Sequence, residues 1–346
     1  MWLQLDINLT DDNIKLLAQL FNTYCYLPNV EIEGKLGFLI NSNNDGTVQR
    51  YILPGIRTIV PLDKDSISYK KPIFNSSVDH NMFIHLNDKI LYGKYNVEKY
   101  YHINNIQHKR THTIDVIYEL NGKPYRVTRP YTNESDQLSP HSSNHNSNSS
   151  SHRTSEIQII EKIDLDNIDY FNPLQGTCDF RISAKEEHII SNMDVVNDKN
   201  SRIRLCRVKD RTSYLFDIWS IDCTKVTTYK STQLNERGEI KPQYINSGTI
   251  TYEVEMECIN NSYVRYHAQL HRDKKPNQMI NIAQSLYNNI RTIAMFAFPT
   301  VNVPATCIVP PHNTNTTTQQ HAGIKRNAPT NTNNSNNNDE EKKQAI

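Results

Sequence analysis

The chain has 346 residues, and 38 Lys and Arg against 37 Asp and Glu give it a formal net charge of +1. A near-neutral chain has no net field that attracts nucleic acid or anionic lipid, so its charge chemistry has to come from local arrangement. The longest apolar run, residues 293–298, is far shorter than the roughly 20 residues of a membrane helix, which predicts no membrane span. Six scattered cysteines without a Cys-x-x-Cys pair argue against zinc and disulfide frameworks, and they favour the nucleus or the cytoplasm.

The predicted elements are a few helices and many strands. Residues 10–24, 78–90 and 276–296 place apolar side chains at helical spacing, so each predicts a helix that covers the apolar face of a sheet. Alternation of apolar and polar residues with a period of two predicts strands elsewhere. The predicted strands are residues 30–38, 113–120, 125–129, 157–163, 177–187, 202–210, 214–226 and 248–258.

Two segments have a low-complexity composition. The first, at about residues 133–155, contains a run of Ser, Asn and His, and the second, residues 301–346, is rich in Asn and Thr. Neither segment has enough apolar surface to offset the entropy of ordering. The sequence therefore predicts one domain over residues 1–300 with the first segment as an insertion, followed by a disordered tail.

The polar faces of the predicted strands are sorted by charge. Three glutamates share a face of the last strand, two share a face of the first, and three basic residues share a face in between. These residues are Glu253, Glu255 and Glu257, then Glu31 and Glu33, then Arg207, Lys209 and Arg211. A solvated face is the alternative for any single strand, but it does not explain the sorting across several strands. If the sheet closes into a barrel, the charged faces line a polar lumen.

This arrangement favours one kind of chemistry. Clustered carboxylates suit a hard divalent cation such as Mg²⁺ or Mn²⁺. Lysine and arginine suit phosphate oxygens, and arginine can contact two of them at once. Together these groups indicate phosphoryl transfer, in which a metal polarises a phosphoryl oxygen and a carboxylate orients the attacking water.

Four segments together resemble the motifs of the fungal RNA 5′-triphosphatases, which belong to the triphosphate tunnel metalloenzymes. The segments are VEIEGKLG at residues 30–37, RVKDR at 207–211, IDCTKV at 221–226 and TYEVEMEC at 251–258. The resemblance implies a mainly β (α+β) fold, with an eight-stranded antiparallel β tunnel, a charged lumen and a few outer helices. It also implies that, with Mg²⁺ or Mn²⁺ as cofactor, the protein removes the γ-phosphate of 5′-triphosphate RNA and leaves a 5′-diphosphate end.

The resemblance further implies roles for individual residues. The implied metal ligands are Glu31, Glu33 and Glu257. The implied catalytic residues are Glu187, which would orient water, and Arg126, Lys209, Arg211 and Asp222. The implied phosphate-binding residues are Lys162, Arg181 and Arg207, supported by Glu253, Glu255, Asp115 and Thr224. Ser220 departs from the family pattern, because an arginine usually stands there, and so removes one cation from the lumen.

The family includes the capping enzyme beta subunit and a shorter polynucleotide 5′-triphosphatase. The first motif begins near residue 30 and no recruitment segment is visible before it, so the sequence favours the shorter type, acting in RNA processing outside capping. Guanylyltransferase binding has no support for the same reason. A capping beta subunit is the close alternative, and a non-catalytic module that binds RNA ends or polyphosphate is another. Hydrolysis of nucleoside triphosphates or polyphosphate is an expected side activity, and a homodimer is consistent with the family.

Overall fold

The protein was analysed as a computed structural model, which describes residues 12–42, 48–53, 58–62, 72–91, 106–131, 157–174, 177–191 and 194–297. The predicted insertion at residues 133–155 and the predicted tail at 301–346 lie outside these residues. Within the described ranges, no helix combines the length and the apolar character needed to cross a membrane.

Eleven strands are found in the described part of the chain. They are β1 (Val30–Ser42), β2 (Val48–Arg50), β3 (Val60–Pro61), β4 (Ile73–Asn75), β5 (Gln107–Leu120), β6 (Lys123–Pro130), β7 (Gln158–Phe171), β8 (Asp179–Ile190), β9 (Arg202–Phe216), β10 (Trp219–Lys230) and β11 (Thr249–Cys258). Eight of them pair antiparallel in the order β11-β10-β9-β5-β6-β7-β8-β1, and β1 pairs back with β11. The ring is therefore closed, which confirms the predicted eight-stranded antiparallel tunnel.

One predicted break between strands is wrong. The sequence suggests a break between residues 210 and 214, whereas β9 runs on to Phe216 and the chain turns at Asp217, which has a φ of 50°. Arg211 and Ser213 look like loop residues because they are polar. In a barrel with a polar lumen, polar side chains on one face are compatible with a continuous strand.

Five α-helices lie in the described residues: α1 (Asp12–Tyr24), α2 (His80–Ile84), α3 (Asp194–Asn197), α4 (Asn261–Arg272) and α5 (Met279–Phe296). A π-helical segment, His85–Leu91, continues α2, so these two elements together occupy the second predicted helix. The sequence analysis missed α3 and α4. Only Val264 and Ala268 of α4 are buried, so its apolar periodicity is too sparse to stand out in the sequence.

The main hydrophobic core lies between the outer face of the barrel and helices α1, α4 and α5. Ile32 and Leu36 of β1 point into it, alternating with charged neighbours. The rings of Tyr170 and Phe180 stack with centroids 4.8 Å apart, and Tyr287 of α5 packs against both. Because the helices cover the apolar face of these strands, the opposite face has to line the lumen.

Gly37 allows β4 to lie close against β1. A Cβ atom on Gly37 would sit 2.1 Å from the carbonyl oxygen of Asn75 and 2.8 Å from the ring of Phe74. Two residues after β4, Ser77 pairs with Glu253 of β11. The β4 segment thus contacts both β1 and β11, and its position depends on the missing side chain at Gly37.

We expect Gly37→Ala to lower the free energy of unfolding by about 1–3 kcal/mol, because a backbone oxygen cannot rotate away from the added methyl group. Urea denaturation measures this loss. Gly122→Ala is a useful comparison, since nothing lies near its Cβ position and only its φ of 78° opposes a side chain. That strain is worth about 1 kcal/mol. A Gly37→Ala variant as stable as the wild type would contradict the close approach of β4.

Candidate functional site

The structure places all predicted site residues on the lumen face. Ion pairs join strands that are not neighbours in the sheet, such as Lys162 of β7 with Glu31 of β1, and Arg207 of β9 with Glu253 of β11. Such pairs form across the concave side of the barrel. The other predicted residues share strand parity with these four: Glu33, Glu187, Arg126, Lys209, Arg211, Asp222, Arg181, Glu255, Glu257, Asp115 and Thr224.

Glu33 is the most deeply buried glutamate of the acidic wall formed by β1 and β11. It lies opposite Glu257 in the pairing of the two strands and is 1% exposed. Its Oε1 is 2.7 Å from Nζ of Lys185, and its Oε2 is 3.3 Å from Nζ of Lys35. Burial alone would raise the pKa of Glu33, but Lys35 and Lys162 together lower it below its usual range. Glu33 is therefore ionised at neutral pH.

Lys162 joins three glutamates. Its Nζ is 2.8 Å from Glu31, 3.0 Å from Glu187 and 3.7 Å from Glu33. Arg126 of β6 also binds Glu187, at 3.0 Å. Burial alone would lower the pKa of Lys162, but the three carboxylates raise it above its usual value, so the ammonium group stays charged.

Arg211 is fixed by three acceptors. It donates to Asp222 at 2.6 Å, to Thr224 at 3.1 Å and to Glu255 at 3.3 Å. A planar guanidinium group serves such fixed directions, whereas a lysine ammonium is a single point charge. Lys35 binds Glu255 from the other side, at 2.5 Å. Burial would raise the pKa of Glu255, but Lys35 and Arg211 hold it well below its usual range.

Lys209 lies between two arginines on the lumen face of β9. Its Nζ is 2.5 Å from Asp115, while Arg207 and Arg211 lie on the same face of β9. Burial lowers the pKa of Lys209, Asp115 opposes this, and the two arginines lower it further. An anionic ligand at this point would relieve the repulsion, so the basic face of β9 suits phosphate.

Glu257 is the lumen glutamate of β1 and β11 that makes no ion pair among the described residues. Within the part of the chain that the structure describes, no lysine or arginine lies at ion-pair distance from its carboxylate. Ser220 lies opposite Glu257 on β10, and its hydroxyl group donates to Asp222 at 2.6 Å instead. Burial raises the pKa of Glu257 to about 8, repulsion from Glu255 and Asp222 adds to this, and the nearby Arg211 offsets only part of the rise. The serine at position 220 therefore supplies no cation to this carboxylate.

The predicted metal ligands line one wall but are not assembled into a metal cage. Among the described residues, no group of three or more carboxylate, histidine or cysteine side chains is arranged to hold a metal ion. Lys162 and Lys185 contact Glu31 and Glu33 in its place. The donor set nevertheless fits a divalent cation, because it consists of hard oxygens. In addition, Glu257 makes no ion pair among the described residues, and Oε1 of Glu33 accepts no hydrogen bond from a described group.

Two lumen lysines, Lys35 and Lys185, were given no role in the predicted site. Strand parity places both on the polar face, since each lies two residues from a predicted glutamate on the same strand. Arg181 was predicted to bind phosphate, but it donates to Asp169 twice, at 2.6 and 2.9 Å. Its guanidinium group also lies 4.8 Å from the centre of the Phe74 ring. Asp169 thus takes two of the five N–H donors of Arg181.

Removing the charge of Glu257 should stabilise the metal-free protein at alkaline pH. The pKa of Glu257 is raised from 4.5 to about 8, so the folded state binds the proton more tightly and stability falls as pH rises through this window. We expect Glu257→Gln to exceed the wild type in free energy of unfolding by at least ~1 kcal/mol near pH 8.5. The difference in free energy of unfolding between the two proteins should disappear as the pH falls toward 4.5. Urea unfolding in the presence of a chelator measures this difference.

Glu253→Gln is the matched control, because the Glu253 carboxylate already has a partner, Arg207, at 2.6 Å. Breaking that pair should give no gain at alkaline pH. An equal gain in both variants would indicate general repulsion among the lumen carboxylates, and it would contradict the special position of Glu257.

The fold is similar to that of solved RNA triphosphatases. The S. pombe Pct1 RNA triphosphatase matches with a TM-score of 0.60 and 20% sequence identity, covering 84% of this chain and 95% of that chain. Pct1 in complex with the Spt5 CTD matches with a TM-score of 0.60 and 20% identity, covering 82% and 92%. The mimivirus mRNA capping enzyme RNA triphosphatase domain covers 83% of this chain and 98% of that chain, at 14% identity and a TM-score of 0.40. At such identity, the likeness to Pct1 shows a shared triphosphate tunnel fold.

No curated protein sequence matches the chain significantly. A family model does match it: the model of the mRNA capping enzyme, beta chain, covers residues 18–297. That range contains all eight barrel strands and every predicted site residue. The chain therefore belongs to the family of the mRNA capping enzyme beta chain.

Proposed function

We propose that the protein is a metal-dependent RNA 5′-triphosphatase, which removes the γ-phosphate of 5′-triphosphate RNA and leaves a 5′-diphosphate end. The observation that carries this proposal is the closed lumen, in which glutamates of β1 and β11 face basic side chains of β6, β7 and β9. Membership of the capping enzyme beta chain family and the likeness to the Pct1 RNA triphosphatase support it.

Four basic residues are the main candidates for binding the phosphates: Arg126, Lys162, Lys209 and Arg211. Each now contacts a carboxylate of the lumen, and an entering triphosphate would take over part of these contacts. Donors that are already held in place need little reorganisation when charge develops on the transferred phosphoryl group. The carboxylates thus keep the cations in position before the substrate arrives.

Glu31, Glu33 and Glu257 would hold Mg²⁺ or Mn²⁺, which supplies Lewis-acid polarisation of a phosphoryl oxygen when bound. Glu187 is the candidate for orienting the attacking water. Burial would raise the pKa of Glu187, but Lys162 and Arg126 lower it below its usual range. Glu187 is therefore ionised at neutral pH and can accept a hydrogen bond from water.

Removing a proposed metal ligand should nearly abolish turnover. We expect Glu31→Gln and Glu257→Gln each to lower kcat at least about 100-fold, because each loses a charged oxygen ligand. Phosphate released from 5′-triphosphate RNA with Mg²⁺ or Mn²⁺ is the readout. Glu161→Gln is the control, since Glu161 lies on the outer face of β7 and contacts Lys123 at 2.8 Å. Wild-type rates in both lumen variants would reject these metal ligands.

The basic face of β9 should stabilise the transition state. We expect Lys209→Ala and Arg211→Ala each to cost about 2–4 kcal/mol in kcat/KM, as for other preorganised electrostatic groups. Arg211→Lys should not restore the rate, because one ammonium group cannot serve the three acceptors that Arg211 contacts. Thermal unfolding checks that each variant folds. A fully active Arg211→Lys enzyme would show that charge alone is sufficient there.

Product analysis separates this function from the alternatives. Wild-type protein should convert triphosphate-ended RNA to diphosphate-ended RNA and leave diphosphate-ended RNA unchanged. ATP in competition with RNA reports the expected nucleoside triphosphatase side activity. Tight RNA binding without turnover, with either divalent cation, would instead indicate a non-catalytic module that binds RNA ends.

The cellular role has two candidates. The sequence analysis favours RNA processing outside capping in the nucleus or cytoplasm, while the matched family model, that of a capping enzyme chain, favours cap formation. In the second case, the diphosphate end is the acceptor for a guanylyltransferase. Co-purification with a guanylyltransferase, and transfer of GMP to the product in a coupled assay, would support capping. The Spt5 CTD, which Pct1 binds in a solved complex, is a further partner to test.

A further inference from the structure

One lumen lysine has no role in the proposed reaction. Lys185 projects from β8, and its Nζ lies 2.7 Å from Oε1 of Glu33 and 3.3 Å from Oδ1 of Asp164. The side chain of Lys185 is 20% exposed and that of Asp164 is 80% exposed. Because a solvent-exposed ion pair contributes little, Glu33 is the partner that matters.

Three lysines surround Glu33, and they are held to different degrees. Lys162 is also bound by two other glutamates, at 2.8 and 3.0 Å. Lys35 is also bound by Glu255, at 2.5 Å. Lys185 has no second buried partner among the described residues, and its contact with Glu33 lacks the geometry of a hydrogen bond. Lys185 is therefore the lysine whose position depends most on Glu33.

We propose that Lys185 is an internal counter-ion, which neutralises Glu33 in the metal-free enzyme. When the divalent cation binds Glu33, the ammonium group of Lys185 dissociates from Glu33 and then contacts the phosphate chain of the substrate. This inference rests on the proposed function, because it takes Glu33 as a metal ligand. A divalent cation and the ammonium group of Lys185 cannot both occupy the position next to Oε1 of Glu33. Binding of the cation therefore displaces Lys185.

Displacement has a consequence for substrate binding. Once it leaves Glu33, the ammonium group of Lys185 stays in the lumen on a flexible stem, near Lys162 and without a buried counter-charge. An entering triphosphate supplies that counter-charge. Cation binding and triphosphate binding thus favour each other, and by linkage each raises the affinity of the other by the same factor. A purely structural Lys185–Glu33 pair predicts no such coupling.

Lys185→Met tests the inference, because it keeps the length of the side chain and removes its charge. One measurement is the affinity of the full-length protein for Mn²⁺ alone, by calorimetry. The other is the affinity for a β,γ-imido nucleoside triphosphate, which cannot be cleaved at that bond, with and without saturating Mn²⁺. Lys185→Arg is the conservative variant. Lys225→Met is the matched control, since Lys225 is exposed on the outer face of β10.

The expected pattern is specific. Lys185→Met should bind Mn²⁺ alone about fivefold or more tightly than the wild type, and in Mn²⁺ it should bind the analogue about fivefold or more weakly, within the usual range for coupled sites. The mutual enhancement seen in the wild type should largely disappear. Lys185→Arg should keep it, and Lys225→Met should behave as the wild type.

Two results would overturn the inference: Mn²⁺ affinity in Lys185→Met equal to or below that of the wild type, or unchanged coupling between Mn²⁺ and the analogue. Phosphate release from 5′-triphosphate RNA by the wild type, in the same preparation, tests the proposed function separately. Cleavage without coupling rejects only the role of Lys185. Coupling without cleavage supports that role and rejects the reaction. No Mn²⁺ binding to the wild type rejects both.

Discussion

Charge pairing inside a closed sheet is the constraint on which this structure depends. The outer helices cover the apolar face of the strands, so the charged face has to be enclosed by the barrel. An unpaired ion buried in this way costs several kcal/mol. Acidic and basic strands therefore have to be arranged so that pairs form across the lumen, as Arg207 and Glu253 do. The strand order determines which charged side chains lie within ion-pair distance of each other across the lumen.

Like charges lie close together at the two places where ligands are proposed to bind. Glu257 makes no ion pair among the described residues, and Glu255 and Asp222 repel its carboxylate. Lys209 has one carboxylate partner but two arginines on its own strand. A cation at the first place and an anion at the second would offset this repulsion. The protein thus has the charge distribution expected of a site for a metal and a polyphosphate.

Much of this arrangement can be predicted from the sequence, because the difference between lumen and exterior appears as alternation along each strand. That alternation is sufficient to put Glu31 and Glu33 on one face. The partner of each charge cannot be predicted in this way. Lys162 reaches Glu31 across β8, which depends on the stagger of three strands around the barrel.

The errors of prediction have local causes. The break assumed within β9 came from a polar stretch that the lumen accommodates, and α4 was missed because it buries only Val264 and Ala268. Neither error affected the assignment of the fold, because the sorted charge only suggested a barrel, and the four motifs that resemble those of triphosphate tunnel enzymes implied the eight-stranded tunnel. The metal ligands were predicted on one wall, but which lysine contacts which glutamate follows from three-dimensional packing.

The seam between β1 and β11 links folding to chemistry. These strands are the first and the last of the barrel, and they pair over three residue pairs, one of which is Glu33 with Glu257. Contacts between such distant parts of a chain form late, after the intervening strands have been ordered. An ion held across the seam would fasten the two edges together and add its binding free energy to closure of the ring. A half-folded chain would then lack the assembled carboxylate cluster, because the two edges that carry it have not yet come together.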